Sequence, residues 1–419
     1  MRQTNPPGLF TEKGAGIYAM AGGMIARLRV FVILGMGVVT LALADGPAGI
    51  AKNPPSRIFN ANGLPSDETF FPIAVWLQAP LNAPRYQAAG INLYVGLWDG
   101  PTAEQLSQLQ KADMPVICEQ TPVALANLDN PIIAGWMHGD EPDNAQSLGD
   151  GKGYGPPIAP DKIVRGYERI RSTDPSRPVM LNLGQGVAWE QWFGRGPRSN
   201  HPEDYAEYVK GCDIVSFDIY PVVHASPEVR GKLEFVARGV ERLAGWTRGE
   251  KPVWSCIECT HIGDPSARAT PQQVRAEVWM ALCRGARGLI YFVHQFKPAF
   301  REAALLDDPE MLAAVTEINR QIRELAPMLN SPTIASHLTA QSTNAAAPIA
   351  TLLKRRNNEV YLFAVNLANA PTRATFALHE MKTGTEAEVL GESRRLAVQR
   401  ETFTDEFAPY AVHLYRLAP

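Results

Sequence analysis

Eight near-continuous apolar runs, each followed by a helical or turn-rich segment, constrain this chain more than any other feature. They are Phe70 to Gln78, Ile91 to Trp98, Pro115 to Gln120, Ile132 to Gly139, Arg177 to Leu183, Asp213 to Tyr220, Val253 to Glu258 and Gly288 to His294. Strands buried on both faces of a parallel sheet read as unbroken apolar stretches, because neither face meets water. Helical segments fall between them. Thr102 is expected to cap a helix running to Ala112, Asp161 to Arg171 and Pro271 to Cys283 are two more, and Leu233, Val236, Val240 and Leu243 mark the buried stripe of another. A last helix starts at an Asp308 cap with Pro309 in its first position, and Leu312, Val315, Ile318, Ile322 and Leu325 share one side.

Eight such units over roughly 260 residues match a (β/α)₈ TIM barrel. A doubly wound open sheet is the competing arrangement, and no Gly-rich phosphate turn follows the first strand to favour it. From about Ser331 the rhythm changes to short strands and turns. Ile349 to Arg355 and Glu359 to Asn366 flank Arg356-Asn357-Asn358, a hairpin signal. The fold class is therefore α/β, with a barrel over 67–330 and a small C-terminal all-β sandwich over 331–419.

The segment ahead of the barrel is of another kind. Arg27 and Arg29 lead into an apolar run from Val30 to Leu43, closed by Ala42-Leu43-Ala44, the pattern of a cleaved signal peptide. The run is short of the ~20 residues a membrane span needs. We expect residues 1–44 to be removed, a Pro-rich lead over 45–66, Asp45 at the mature N-terminus, and a periplasmic or extracellular protein with no membrane attachment in its mature form. The 1–44 segment holds four basic residues and one acidic, so the remainder is more acidic than the whole chain's net charge of −3. That argues against a nucleic-acid partner, which would call for a basic face. The five cysteines are odd in number and no disulfide scaffold is expected.

Barrel chemistry comes from the C-terminal ends of the strands, where the loops converge. Glu141, in His138-Gly139-Asp140-Glu141-Pro142-Asp143, follows the fourth strand, and Glu258 ends the seventh. Two carboxylates brought to one mouth can divide the acid and nucleophile roles that cleave a glycosidic bond. Asp140, adjacent to Glu141, is a second candidate for the acid. Asp143 after Pro142 reads as ordinary turn chemistry. Tyr220, at the end of the sixth strand, is a candidate donor to Glu258. Asn182, His294, Gln295, Glu119 and Gln120 are candidate sugar ligands by position.

Trp98, Trp189 and Trp192 lie in or beside loops, where indole faces can stack on sugar rings. Trp136 and Trp254 lie in strands and read as packing. Cys256-x-x-Cys259 is a lone pair with no zinc context, and His138 and His261 fit no metal spacing. No cofactor is expected.

On these residues the chain resembles the retaining TIM-barrel glycoside hydrolases of clan A. The resemblance implies an acid/base at Glu141 and a nucleophile at Glu258, acting on an oligo- or polysaccharide. It covers roughly Phe70 to Asn330. One position departs from it: the clan usually has Asn before the acid/base, where this chain has Asp140. Two other readings stay open, a non-catalytic carbohydrate-binding barrel and a metal-dependent hydrolase.

Overall fold

The computed structural model describes residues 62–149, 151–380 and 384–417. The expected signal segment lies outside them. Eight parallel strands close into a barrel in sequential order: β1 (Ile73–Trp76), β2 (Leu93–Val95), β3 (Val116–Glu119), β4 (Ile133–Asp140), β5 (Val179–Leu183), β6 (Ile214–Phe217), β7 (Val253–Glu258) and β8 (Gly288–Phe292), with β8 pairing back onto β1. Closure removes the open-sheet alternative. The helices between them are α1 (Ala83–Ala88), α2 (Ala103–Lys111), α3 (Pro122–Leu125), α4 (Pro160–Thr173), α5 (Tyr205–Tyr208), α6 (Glu234–Trp246), α7 (Pro271–Cys283) and α8 (Pro309–Leu329).

Side chains alternate along each strand between two cores. Ala74, Leu93, Ile117, Met180, Ile214, Trp254 and Ile290 fill the barrel interior, while their neighbours Ile73, Val75, Leu181 and Val253 join the layer under the helices. Thr102 caps α2 and Thr270 caps α7, each in a reciprocal box with the Gln three residues on. Asp308 accepts the Met311 N–H at the start of α8. The α6 stripe buries Leu233, Val236, Val240 and Leu243 completely, each worth roughly 1.5–3 kcal/mol over exposure.

Beyond the barrel, β9 (Leu338–Ser342), β10 (Ile349–Arg356), β11 (Glu359–Asn366), β12 (Thr372–Leu378), β13 (Glu386–Val389), β14 (Arg394–Ala397), β15 (Thr402–Phe407) and β16 (Val412–Leu417) form two antiparallel sheets, ordered β10-β11-β16-β13-β14 and β15-β12-β9. The β10–β11 hairpin pairs Arg356 with Glu359 around Asn357-Asn358. Asn357 takes a φ of 55° there, a conformation asparagine tolerates better than most residues.

One face of the five-stranded sheet packs on the helices. Phe363 of β11 meets Trp279 of α7 at 5.1 Å between ring centres, and Leu352, Val365 and Leu414 belong to the same continuous core as the barrel helices.

Candidate active site

The end of β4 carries an irregularity that aims its acids. Met137 pairs with Met180, but the next registered pair is Asp140 with Asn182, so β4 spends one residue more than β5 over that step. A bulge of this kind shifts the alternation by one, and Asp140 shares the mouth with Asn182 in place of Gly139. The Asn182 amide donates to Asp140 at 2.9 Å and its oxygen accepts the Ser216 hydroxyl at 2.7 Å. Asn182, expected to hold sugar, is engaged in orienting Asp140.

Glu141 follows with a φ of 43°, a left-handed conformation that costs a non-glycine residue of order 1 kcal/mol. Its backbone is tied on both sides: its N–H donates to the Asn182 carbonyl, and its carbonyl accepts from Asn144, each at 3.0 Å. Gly184 permits the close approach, since a side chain there would bring a carbon to 3.0 Å from the Glu141 carboxyl.

The Glu141 carboxyl is buried, and its hydrogen-bonding neighbour is the carboxyl of Asp218. Two carboxyls in contact cannot both ionise, so they share a proton. Burial is the first cause that pushes Glu141 well above the usual carboxylate range, followed by the charges of Asp218 and Asp140. Asp218 is pushed up to about 7, again chiefly by burial. Asp140 is raised by burial too, against its bond from Asn182; being open to solvent on one side, it is desolvated less than Glu141.

Asp218 went unremarked in the sequence although a signal for it exists. Ile214 and Ser216 point into the barrel, and counting by twos reaches Asp218 and Tyr220. Tyr220, read from the sequence as a candidate donor to Glu258, hydrogen-bonds Asp218.

Glu258 is fully enclosed, at 0 % exposure. Its two oxygens accept the N–H groups of Val222 at 2.6 Å and Val223 at 3.2 Å, and the carboxyl of Glu277 on α7 lies within hydrogen-bonding reach. Burial pushes it up to about 7, while the Val222 N–H, Glu277 and the Val223 N–H oppose that rise. Two backbone donors of the β6–α6 loop thus solvate the carboxyl. The loop is itself anchored: the Gly231 N–H donates to the Pro221 carbonyl at 2.9 Å, and the Tyr410 hydroxyl of the β-domain donates to the Gly231 carbonyl at 2.6 Å.

Asp143 is a buried clamp. It accepts the Gly184 N–H at 2.9 Å and the Tyr205 hydroxyl at 2.8 Å, which fixes the loop bearing Glu141. Asp143→Ala strands both donors and is expected to lower stability by roughly 2–4 kcal/mol, read as a drop in the urea midpoint.

Among the expected aromatic platforms, Trp98 is 40 % exposed and meets His294 edge-on at 5.7 Å. Trp189 and Trp192 sit in the loop after β5 as expected, but they are buried at 5 % and 4 %; they pack on each other and on His224, and the Trp192 indole donates to Asn144 at 2.8 Å. They wall the site instead of presenting a face. His294 is buried against Leu77 and Gln78 and pushed down to about 4 by burial, hence neutral. Phe296 and Phe300 extend the Trp98–His294 strip, a contribution hidden from a search for tryptophans alone.

The weaker candidates scatter. Gln120 donates to the Ile170 carbonyl, Glu119 is exposed, and Gln295 and His261 line a cavity of about 320 Å³ with Arg268, Arg301 and Asp308. All five cysteines are buried and unpaired with one another; Cys256 faces Asn182 while Cys259 faces the Phe292 carbonyl. The His138 ring bonds the Ile163 carbonyl at 2.8 Å. Among the described residues, no three His, Cys, Asp or Glu side chains are grouped to hold a metal ion, and no helix is long and apolar enough to cross a membrane.

No protein-family profile matches the chain, and no curated protein sequence does. Solved structures do. An α-amylase from Anoxybacillus superposes with a TM-score of 0.50 at 11% identity, over 84% of this chain and 99% of that one. An α-amylase from Geobacillus thermoleovorans complexed with acarbose gives 0.49 at 10%, over 84% and 99%, and a glycoside hydrolase family 30 xylanase from Clostridium acetobutylicum gives 0.44 at 10%, over 83% and 96%. At such identities the likeness to the Anoxybacillus protein is one of fold: a closed eight-stranded barrel with helices, followed by an antiparallel β-domain.

Proposed function

We propose that the chain is an exported glycosidase that cleaves an oligo- or polysaccharide with retention, using Glu141 as acid/base and Glu258 as nucleophile. One observation carries the reading. Glu141 is an enclosed carboxyl at the barrel mouth that keeps its proton because burial and a hydrogen-bonded Asp218 disfavour its charge, which is what a general acid needs near neutral pH. Glu141 protonates the glycosidic oxygen as a Glu258 oxygen bonds to the anomeric carbon, and the bond from that carbon to the glycosidic oxygen breaks so that the aglycone leaves as an alcohol. The glycosyl ester is then opened by water, whose proton returns to Glu141.

Asp218 is too close to be the second catalytic group. A carboxyl in hydrogen-bond contact with the acid leaves no room for a glycosidic bond between them, whereas retention uses a separation of about 5–5.5 Å. Asp218 fits the role of proton partner to Glu141. The two backbone donors on Glu258 favour its ionised form, as a nucleophile requires. The Anoxybacillus neighbour's own description as an amylase of a glycosyl hydrolase subclass lends analogy at the level of fold.

Aryl glycosides spanning hexopyranosides, pentopyranosides and furanosides test this. Hydrolysis of at least one, lost in Glu141→Gln, is expected; sugar binding with no hydrolysis across the set would favour the carbohydrate-binding barrel. N-terminal sequencing of protein exported by its native cells is expected to begin at Asp45.

Asp218→Asn separates tuning from chemistry. Removing the neighbouring charge lowers the pKa of Glu141, so the alkaline limb of kcat/KM is expected to move to lower pH. Stability moves oppositely. A carboxyl whose folded pKa is raised contributes fully below its ordinary range and loses that contribution as pH climbs through the folded value, about 7 for Asp218. The variant is therefore expected to melt higher than the parent at pH 8, and an unchanged Tm there would contradict the assignment.

A further inference from the structure

We propose that Glu277 is a positioning residue that holds a proton against Glu258 and so keeps the nucleophile ionised inside the protein. The inference rests on the nucleophile reading of Glu258 and extends it to a residue of α7.

Glu277 sits in the middle of α7, between Ala276 and Val278, all three fully buried. An ionised carboxylate in such a place is costly unless it is paired. Among the described residues, neither of its oxygens receives a donor from another side chain or from the backbone, and the group within hydrogen-bonding reach is the Glu258 carboxyl. Glu258 differs in one respect: it already accepts two backbone N–H groups. Of two carboxyls sharing one proton, the one with external donors keeps the charge and the one without keeps the proton. The proton therefore lies on the Glu277 oxygen and is donated to Glu258.

Among the described residues, the surroundings offer no other means of neutralisation. The remaining titratable groups that act on Glu277 or through it are Cys259 at the end of β7 and Tyr410 from the β-domain. Both are held in their neutral forms, first by burial. Glu234 of α6 acts on Tyr410, and Asp308 at the head of α8 acts on Cys259, so the second tier is acidic as well. Among the described residues, no cation acts on either member of the pair.

During glycosylation Glu258 exchanges its negative charge for an ester bond to the anomeric carbon. Glu277 keeps its proton throughout and transfers nothing. Its task is to stabilise the charged nucleophile between turnovers, and a glutamine amide can do the same through its N–H.

Glu277→Gln and Glu277→Leu together test this, with pH profiles of kcat/KM on an aryl glycoside and infrared spectra in heavy water. The Gln variant is expected to stay within a few-fold of the parent. The Leu variant fits an apolar helix face but donates nothing, so the acid limb is expected to rise by about one pH unit, a tenfold loss in the ionised fraction below it. A Leu variant whose acid limb coincides with the parent's would reduce Glu277 to packing and overturn the proposal.

The infrared difference between parent and Glu277→Gln at neutral pH is expected to show the loss of one protonated-carboxyl C=O band, independent of turnover. Absence of that band also overturns it. Full activity in Glu258→Gln would remove the nucleophile reading instead, leaving the infrared result to decide whether Glu277 holds a proton.

Discussion

Glu258→Gln is expected to cut turnover of aryl glycosides by on the order of 10³-fold or more, with the barrel intact. The amide has nearly the shape of the carboxylate and retains one oxygen for the Val222 or Val223 N–H, but it cannot form the glycosyl ester. Thermal unfolding should change little, because losing one backbone hydrogen bond is offset by removing a charge buried beside Glu277. Added azide is expected to restore turnover and to give a glycosyl azide of configuration opposite to the substrate's, since azide then attacks from the vacated face. Retention of a tenth or more of parent activity would remove Glu258 from the chemistry.

Glu141→Gln tests the other half, and the leaving group decides its size. Substrates that need a proton on departure should slow by about 10²–10⁴-fold, the range attributed to general acid catalysis. An activated aryl glycoside should still form the ester and then stall, because no base remains to activate water. Azide needs no base and should release the sugar as a glycosyl azide with retained configuration. The parent's first-formed sugar should likewise keep its anomeric configuration by NMR; an inverted product would make Glu258 a base that directs water. If Asp140 were the acid, Asp140→Asn and not Glu141→Gln would show the dependence on leaving group.

The barrel was legible because burial on both faces of a strand leaves an unbroken apolar run that few other structures demand. Asp308 with Pro309, and Thr102, marked helix starts because local capping chemistry is written in neighbouring residues. The carboxyls at the strand ends were legible for the same reason: position along a barrel strand predicts which end carries chemistry.

What each carboxyl touches was not legible. The bulge before Asp140 changes which neighbour faces the mouth, and nothing in Met137 to Glu141 announces it except Gly139. Glu277 reads as an ordinary polar residue of a helix, and only the folded chain shows it enclosed against Glu258 of β7. Trp189 and Trp192 looked like open platforms because loop residues usually are, and only the folded loop shows His224 and Asn144 closing over them.

Tyr410 links two parts of the molecule that are easily treated as interchangeable cassettes. Its hydroxyl reaches from the β-domain to Gly231, Gly231 holds Pro221, and the next two residues supply the N–H groups on Glu258. A graft that moves this barrel onto a foreign C-terminal module would carry over every residue of the mouth and still lose the strut beneath one of them. Recombination at the boundary between barrel and sheets is thus constrained by the chemistry it leaves behind, and a successful chimera must bring a hydroxyl of its own to Gly231.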